Sequence, residues 1–265
     1  MISPTINQHQ DSRPLKLYSS WFCPYAQCVW IVLEEKKLDY QWVEINPYRV
    51  DQAREDTKIS LTLDEKRELY PEFVSASPRG LIPALDNGGE LVCDSKVIIE
   101  YLEEVFPNNR ILPSTPIERA RVRYWACFAH EKVVSNFYKL LIAPIEQRDI
   151  HQLALLDGLN TFAQNMDEIQ DGQAFFCGSG FSLVDICLIP WMQRIFSVLP
   201  IYRGFVLTST GPLTTPNFQR LMAWFDCCSV RPSIVQTTCD RDNLVQSYSG
   251  YANGNSTSDV AQKNH

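Results

Sequence analysis

Trp21-Phe22-Cys23-Pro24-Tyr25 sets a cysteine directly before a proline, where an alternating apolar stretch gives way to a helical one. Proline suits the first helical position, which needs no N–H donor. Free N–H groups and the helix dipole at that end favour an anion, and a thiolate is one. The placement predicts a lowered pKa for Cys23 and a thiol that acts as nucleophile or forms mixed disulfides. A buried cysteine packed into a turn is the plainer alternative. Cys28 lies about 140° further around the same helix, at about 100° per residue. It is expected in the core and is no resolving partner. Any redox work by Cys23 therefore takes its second thiol from elsewhere.

The nine cysteines, at 23, 28, 93, 127, 177, 187, 227, 228 and 239, contain no CxxC pair, and no Cys/His cluster has zinc-like spacing. A disulfide framework and a metal site are both excluded as expectations. Gly80-Leu81-Ile82-Pro83 places a proline at the mouth of a strand, a candidate cis peptide bond. A cis bond there turns the backbone of Ile82 away from the sheet, where it can pair with a peptide ligand like an added strand. An ordinary trans proline at an edge is the other reading. Asp94-Ser95 precedes a helix, with Ser95 the natural N-cap. The pair either caps only, or also holds an amino-acid head group, Ser95 taking its carboxylate and Asp94 its ammonium. Ser182 and Asp185 have the spacing of a capping box, which reads as a folding device.

The elements that position these residues follow from periodicity. Leu15–Ser19 alternates as a strand, Pro24–Lys37 is helical, and Tyr40–Ile45 alternates again. Gly80–Leu85 and Glu90–Cys93 read as a hairpin about Asn87-Gly88-Gly89, followed by a helix over Ser95–Val105. The order is βαβ then ββα. Beyond it the chain reads as all helix, over about 117–142, 151–170, 182–198, 217–229 and a short segment after 232. The expected organisation is a disordered lead-in (1–13), an α/β domain (14–107) with a polar insertion at about 47–70, a linker (108–116), an all-helical domain (117–248) and a disordered tail (249–265). Thr62 and Glu65 predict a capped helix inside the insertion.

The chain has 265 residues, 45% of them hydrophobic, and a formal net charge of −7. That balance argues against nucleic acid and anionic membrane surfaces as partners. The polar N-terminus lacks the apolar core of a signal peptide, and apolar runs fall short of the ~20 residues of a membrane helix. A cytoplasmic location is expected.

Taken in order, Cys-Pro after the first strand, Ile-Pro before the third, Asp-Ser before the next helix and the S-x-x-D box resemble the cytosolic glutathione transferases over about residues 15–240. Tyr18-Ser19-Ser20-Trp21-Phe22-Cys23-Pro24-Tyr25-Ala26 looks most like the omega class, which carries a cysteine where other classes have Ser or Tyr. The resemblance implies a thioredoxin-like first domain, an all-helical second domain and a homodimer. It implies glutathione as co-substrate, bound at Phe22, Cys23, Ile82, Pro83, Asp94 and Ser95, with Cys23 catalytic. Asp94 is shorter than the Glu common at its position. The class also uses a lysine near the second strand for the glycine carboxylate; here Arg49 and Lys58 are the nearest offers.

The implied activity is thiol transfer or reductive deglutathionylation of a small apolar or electrophilic substrate. Phe22, Tyr25, Tyr124 and Phe128 are the candidate acceptor pocket; Trp125 and Phe137 lie on the same helix, where aromatics at such spacing more often belong to the core. Glutathione conjugation, a non-catalytic binding module, and a glutathione-free isomerase or dehydratase on the same fold stay open beside it.

Overall fold

Leu17 and Tyr18 are adjacent in one strand yet join different apolar clusters. Successive side chains of a strand point to opposite faces, so this strand is covered on both. In the computed structural model, which describes residues 14–49, 57–207 and 216–264, it is β1 (Leu15–Ser19). β1 pairs in parallel with β2 (Tyr40–Glu44) and antiparallel with β3 (Ala84–Asn87), which pairs antiparallel with β4 (Glu90–Cys93). The sheet order is β2-β1-β3-β4. Helices α1 (Pro24–Lys36) and α4 (Ser95–Val105) pack with the main core, which takes Leu17 and Leu85 from the sheet. In the insertion, α2 (Leu63–Leu69) is capped by the predicted Thr62–Glu65 box. It leads into α3 (Pro71–Ala76), whose Phe73 and Val74 join the second cluster beneath Tyr18 and Ala84.

The expected strand over Gly80–Leu85 begins only at Ala84. Gly80 takes φ +62°, and Ile82–Pro83 is cis, so residues 80–83 form the turn that enters the strand. The expected cap of α4 also moves by one residue. Asp94, at φ 75°, is the N-cap, and its carboxylate accepts from Lys96 N (3.0 Å) and Val97 N (3.4 Å). Ser95 becomes the first helical residue, its side chain released from capping.

The helical half opens with one continuous run: α5 (Pro116–Phe128), a π-helical segment Ala129–Val134, and α6 (Ser135–Ile142). A π segment changes the phase of the side chains beyond it. α7 (Arg148–Gln164) packs tightly on it, since a Cβ on Gly158 would stand 2.6 Å from Lys132 O. α7 ends before the expected 170 because residues 167–180 are held in turns, including Phe175–Gly178 and Cys177–Gly180 bridges.

α8 (Leu183–Arg203) is the central helix and runs past its internal Pro190 and Pro200. It is long and apolar enough to cross a membrane, against expectation, but 72% of that window is buried inside the protein. Its predicted capping box is present, and Asp185 does more than cap. The carboxylate accepts from Ser182 N, Phe176 N (both 2.8 Å) and Trp224 Nε1 (2.7 Å), tying three segments together.

Beyond α9 (Pro216–Ser229), α10 (Pro232–Thr237) and α11 (Arg241–Gln246), the tail departs from the expected disorder. It forms α12 (Ser249–Ala252) and α13 (Asp259–Asn264), both packed on α6, with Tyr251 and Ala261 buried. Its low apolar content concealed a few well-placed anchors. The expected lead-in, 1–13, lies outside the described residues.

Candidate active site

Cys23 is the N-cap of α1, with φ −83° and ψ 117°. Its N–H donates to Ser20 O (3.0 Å), and its carbonyl accepts from Gln27 N (2.9 Å). The Ser20 hydroxyl donates to Ile45 O, which ties the turn to the end of β2. The backbone N–H groups of Ala26 and Tyr25 pull the thiol pKa down, as expected of a helix start, although the side chain makes no cap hydrogen bond. Yet the expected lowering of the pKa is not found. Cys23 is only 9% exposed, and burial pushes its thiol up by more than these donors, Arg194 and Lys58 pull it down. Desolvation disfavours the charged form of any acid and here is the larger effect.

Arg194 of α8 is fully buried behind this turn. Its guanidinium donates to Phe22 O (3.0 Å), Gln27 Oε1 (2.9 Å), Pro190 O (2.6 Å) and Tyr248 Oη (2.7 Å). All four acceptors are neutral. A central helix of the second half therefore fixes the residue before Cys23 and brings a cation close to it.

Phe22, Cys23, Tyr25, Ile82, Pro83, Asp94 and Ser95 all line one cavity of about 760 Å³. Tyr124 and Phe128 do not. Tyr124 is 62% exposed and faces a separate shallow depression beside Ile117 and Arg121. Phe128 packs edge-on against Trp125 at 5.0 Å, and Phe137 is buried in the core. The helical run reaches the cavity instead through His130, Val134 and Tyr138. Tyr124 and Phe128 share a face one turn apart, whereas His130 follows Phe128 by about 200°, the rotation of two helical residues. Burial and the nearby Lys96 keep the His130 pKa below its ordinary value. Tyr25 stacks edge-on against Trp191 at 4.9 Å and is held protonated by burial.

Of the two basic residues offered by the insertion, Arg49 is paired with Glu65 at 2.7 Å and is not part of the lining. Lys58 is part of it, with Nζ 4.2 Å from the Phe22 ring centroid, 4.8 Å from Tyr48 and 5.6 Å from Tyr251. Burial pulls its pKa down to about 7, against the opposing pull of Cys23. Lys66, donating to Gly80 O (3.0 Å), and Arg79 add cations on the Ile82 side. Tyr48, Tyr248, Tyr251 and Asp259 also line the cavity and were not singled out from sequence. Three of those four come from the last eighteen residues. A signal was available, because Tyr248 and Tyr251 are large aromatics in an otherwise polar tail.

Sequence profiles of the glutathione S-transferase N-terminal and C-terminal domains match residues 17–110 and 129–232. The probable glutathione S-transferase GSTU6 of Oryza sativa subsp. japonica is 31% identical over 194 residues, 69% of this chain and 75% of its own length. Glutathione S-transferase omega-1 of Sus scrofa is 29% identical over 189 residues, 68% and 67% of the two chains. The crystal structure of glutathione transferase Omega 3C from Trametes versicolor superposes with a TM-score of 0.72 at 30% identity, covering 93% of this chain and 94% of that one.

Proposed function

The chain belongs to the glutathione S-transferase family, whose co-substrate is glutathione, and from that premise we propose an omega-like enzyme of glutathione-dependent thiol transfer or reductive deglutathionylation through Cys23. The observation that carries this reading is a cysteine thiol opening α1 on the same cavity as Ile82, Asp94 and Ser95. Those positions match the ones that hold glutathione in the resemblance. In this reading the backbone of Ile82 pairs with the cysteinyl unit, and Ser95 with Asp94 takes the γ-glutamyl end. Lys66 and Arg79 stand on the Ile82 side to meet the far carboxylate.

Cys23 thiolate attacks the glutathione sulfur of a mixed disulfide, the S–S bond breaks, and the acceptor leaves as a thiol. A second glutathione then attacks the Cys23–glutathione disulfide and frees Cys23 as glutathione disulfide departs. Phe22, Tyr25 and Tyr138 give the acceptor its apolar wall.

The test is turnover of a small glutathionyl mixed disulfide by the wild type and by Cys23→Ser. Loss of at least 100-fold supports the reading. Full thiol transfer by Cys23→Ser, with conjugation to an electrophile unchanged, replaces it with conjugation, which the raised thiol pKa and the GSTU6 likeness favour. Glutathione binding by calorimetry without either turnover indicates a binding module.

We further propose a cytoplasmic homodimer. Val97, Ile117 and Tyr124 are exposed on α4 and α5, which Arg123 and Glu100 join at 2.7 Å. Light scattering at twice the chain mass is the expected outcome, and a single-chain mass excludes the dimer.

A further inference from the structure

The chain carries a formal net charge of −7, yet its cavity has the opposite balance. Among the described residues, Lys58, Lys66, Arg79 and Lys96 line it against the carboxylates of Asp94 and Asp259. A concave site with an excess of one sign draws ligands of the other. Glutathione in the proposed pose takes up part of that excess. Its far carboxylate meets Lys66 and Arg79, and its γ-glutamyl end lies at Asp94 and Ser95, next to Lys96. Asp259 stands 3.9 Å from Arg79. Lys58 is left over, and it lies on the acceptor side, with Nζ 4.2 Å from the Phe22 ring centroid.

The Lys58 ammonium is enclosed by the rings of Phe22, Tyr48 and Tyr251, and among the described residues no carboxylate or carbonyl accepts a hydrogen bond from it. Ring faces attract a cation, but they replace its lost hydration only in part. The Tyr48 and Tyr251 hydroxyls meet each other at 3.1 Å. Burial accordingly pulls the lysine pKa down to about 7. The backbone of Lys58 is pinned by the C-terminal tail. Its N–H donates to Asn255 O (2.9 Å), and its carbonyl accepts from Thr257 N (3.0 Å), as a short parallel bridge. The amine is thus presented to the cavity from a fixed point.

We propose that Lys58 selects acceptors that are aromatic carboxylic acids, pairing with the carboxylate while the rings of Phe22, Tyr48 and Tyr251 hold the aromatic body. The inference rests on the reading of this cavity as a glutathione site and names the acceptor class which that reading leaves open. A carboxylate supplies what the cage lacks, a full counter-charge and acceptors for the ammonium N–H groups. A charge-assisted hydrogen bond of this kind is stronger where water is displaced. Aromatic rings pack edge-on or offset against one another, so the same three rings that surround the amine also suit a flat ligand. An aromatic acid satisfies the cation and the rings together.

The other cations are committed elsewhere. Arg194 does not line the cavity, and its guanidinium already donates to four acceptors. Lys66 donates to Gly80 O (3.0 Å) on the Ile82 side. Two rival roles for Lys58 have different consequences. A lysine that held the glycine carboxylate of glutathione would matter to glutathione itself, whatever the acceptor carried. A lysine satisfied by its rings alone would gain nothing from an acid over a neutral group of the same shape.

The test titrates two unreactive thioethers by calorimetry, S-(4-carboxybenzyl)glutathione and its neutral amide S-(4-carbamoylbenzyl)glutathione, with plain glutathione as the reference. The wild type should bind the acid roughly tenfold more tightly than the amide. Lys58→Met keeps an apolar stem among the rings and should erase that preference, while its affinity for plain glutathione stays within about threefold of the wild type. Equal wild-type affinities for the acid and the amide overturn the proposal, and that comparison needs no variant. A tenfold loss of plain glutathione in Lys58→Met assigns the lysine to the glycine carboxylate and overturns it too. A wild type that binds no glutathione removes the site on which the proposal rests, and the proposal with it. Neither thioether reacts at Cys23, so the mixed-disulfide test can fail while this one succeeds.

Discussion

A thiol and an amine in one desolvated cavity must each surrender some of the charge they would carry in water, and the cost appears in stability as well as reactivity. Free lysine titrates near 10.4, whereas Lys58 in the folded protein titrates at about 7. Between those values the unfolded chain binds a proton that the folded chain does not, so stability rises with pH. The penalty is fully present below 7 and is relieved as pH climbs through the window above it. Lys58→Met removes this slope. Denaturation at pH 7.0 and 8.5 should show the wild type gaining about 1 kcal/mol relative to the variant, after allowance for partial exposure. Equal changes in the two proteins would contradict the lowered lysine. The raised Cys23 and tyrosines act with the opposite slope, from about pH 8 for the thiol and ~9 for the tyrosines, where their unfolded counterparts begin to lose protons, and both proteins share them. Cys23→Ser gives the complementary residue-level prediction. It should abolish mixed-disulfide turnover while leaving glutathione affinity within about threefold, because the other matched positions are untouched. Calorimetry measures the second quantity, and a large loss of affinity would make Cys23 a binding residue first.

At the level of elements, the site depends on helix starts. α1 presents Cys23, α4 presents Asp94 and Ser95, and α8 carries Arg194 beneath both halves. Asp185 holds the start of α8 to Phe176 and Trp224, so its loss would strand three donors in the core. Asp185→Ala should destabilise the protein by about 3 kcal/mol or more, read as a lower denaturation midpoint. A change under ~0.5 kcal/mol would mean that the network forms without that carboxylate. This box was legible because S-x-x-D spacing and the flanking apolar residues act within one turn. The strands and α1 were legible for the same reason, since their periodicities are local. Cap assignment failed at Asp94 because a positive φ, costly for a residue with a Cβ, is set by tertiary context rather than by residue type. Tyr124 and Phe128 misled because aromatic content says nothing of helical phase. The π segment between them and Tyr138 shifts that phase without a break in the apolar pattern to announce it.

Across the whole molecule, the cavity is assembled from segments far apart in sequence: Cys23 and Lys58 from the first half, Tyr138 from the second, Tyr251 and Asp259 from the tail. Its existence could be anticipated from the ordered motifs, but its fourth wall could not. Composition averages over the tail, whereas its packing rests on Tyr251 and Ala261 against α6 and on backbone bonds to Lys58. Ending the chain at Tyr248 tests what that wall contributes. Burying a tyrosine and the neighbouring apolar groups contributes about 3 kcal/mol by transferred area, so the shortened protein should unfold that much more easily in guanidinium. It should keep its far-UV signal less the two short helices, because the main core lies elsewhere. With Tyr251 and the strand-like contact gone, Lys58 returns toward water and its pKa toward the free value. The gain in stability between pH 7.0 and 8.5 then shrinks as in Lys58→Met. A shortened chain with unchanged stability and an unchanged pH slope would reduce the tail to an ornament of the surface. A chain that loses stability but keeps the slope would make it a brace with no hold on Lys58.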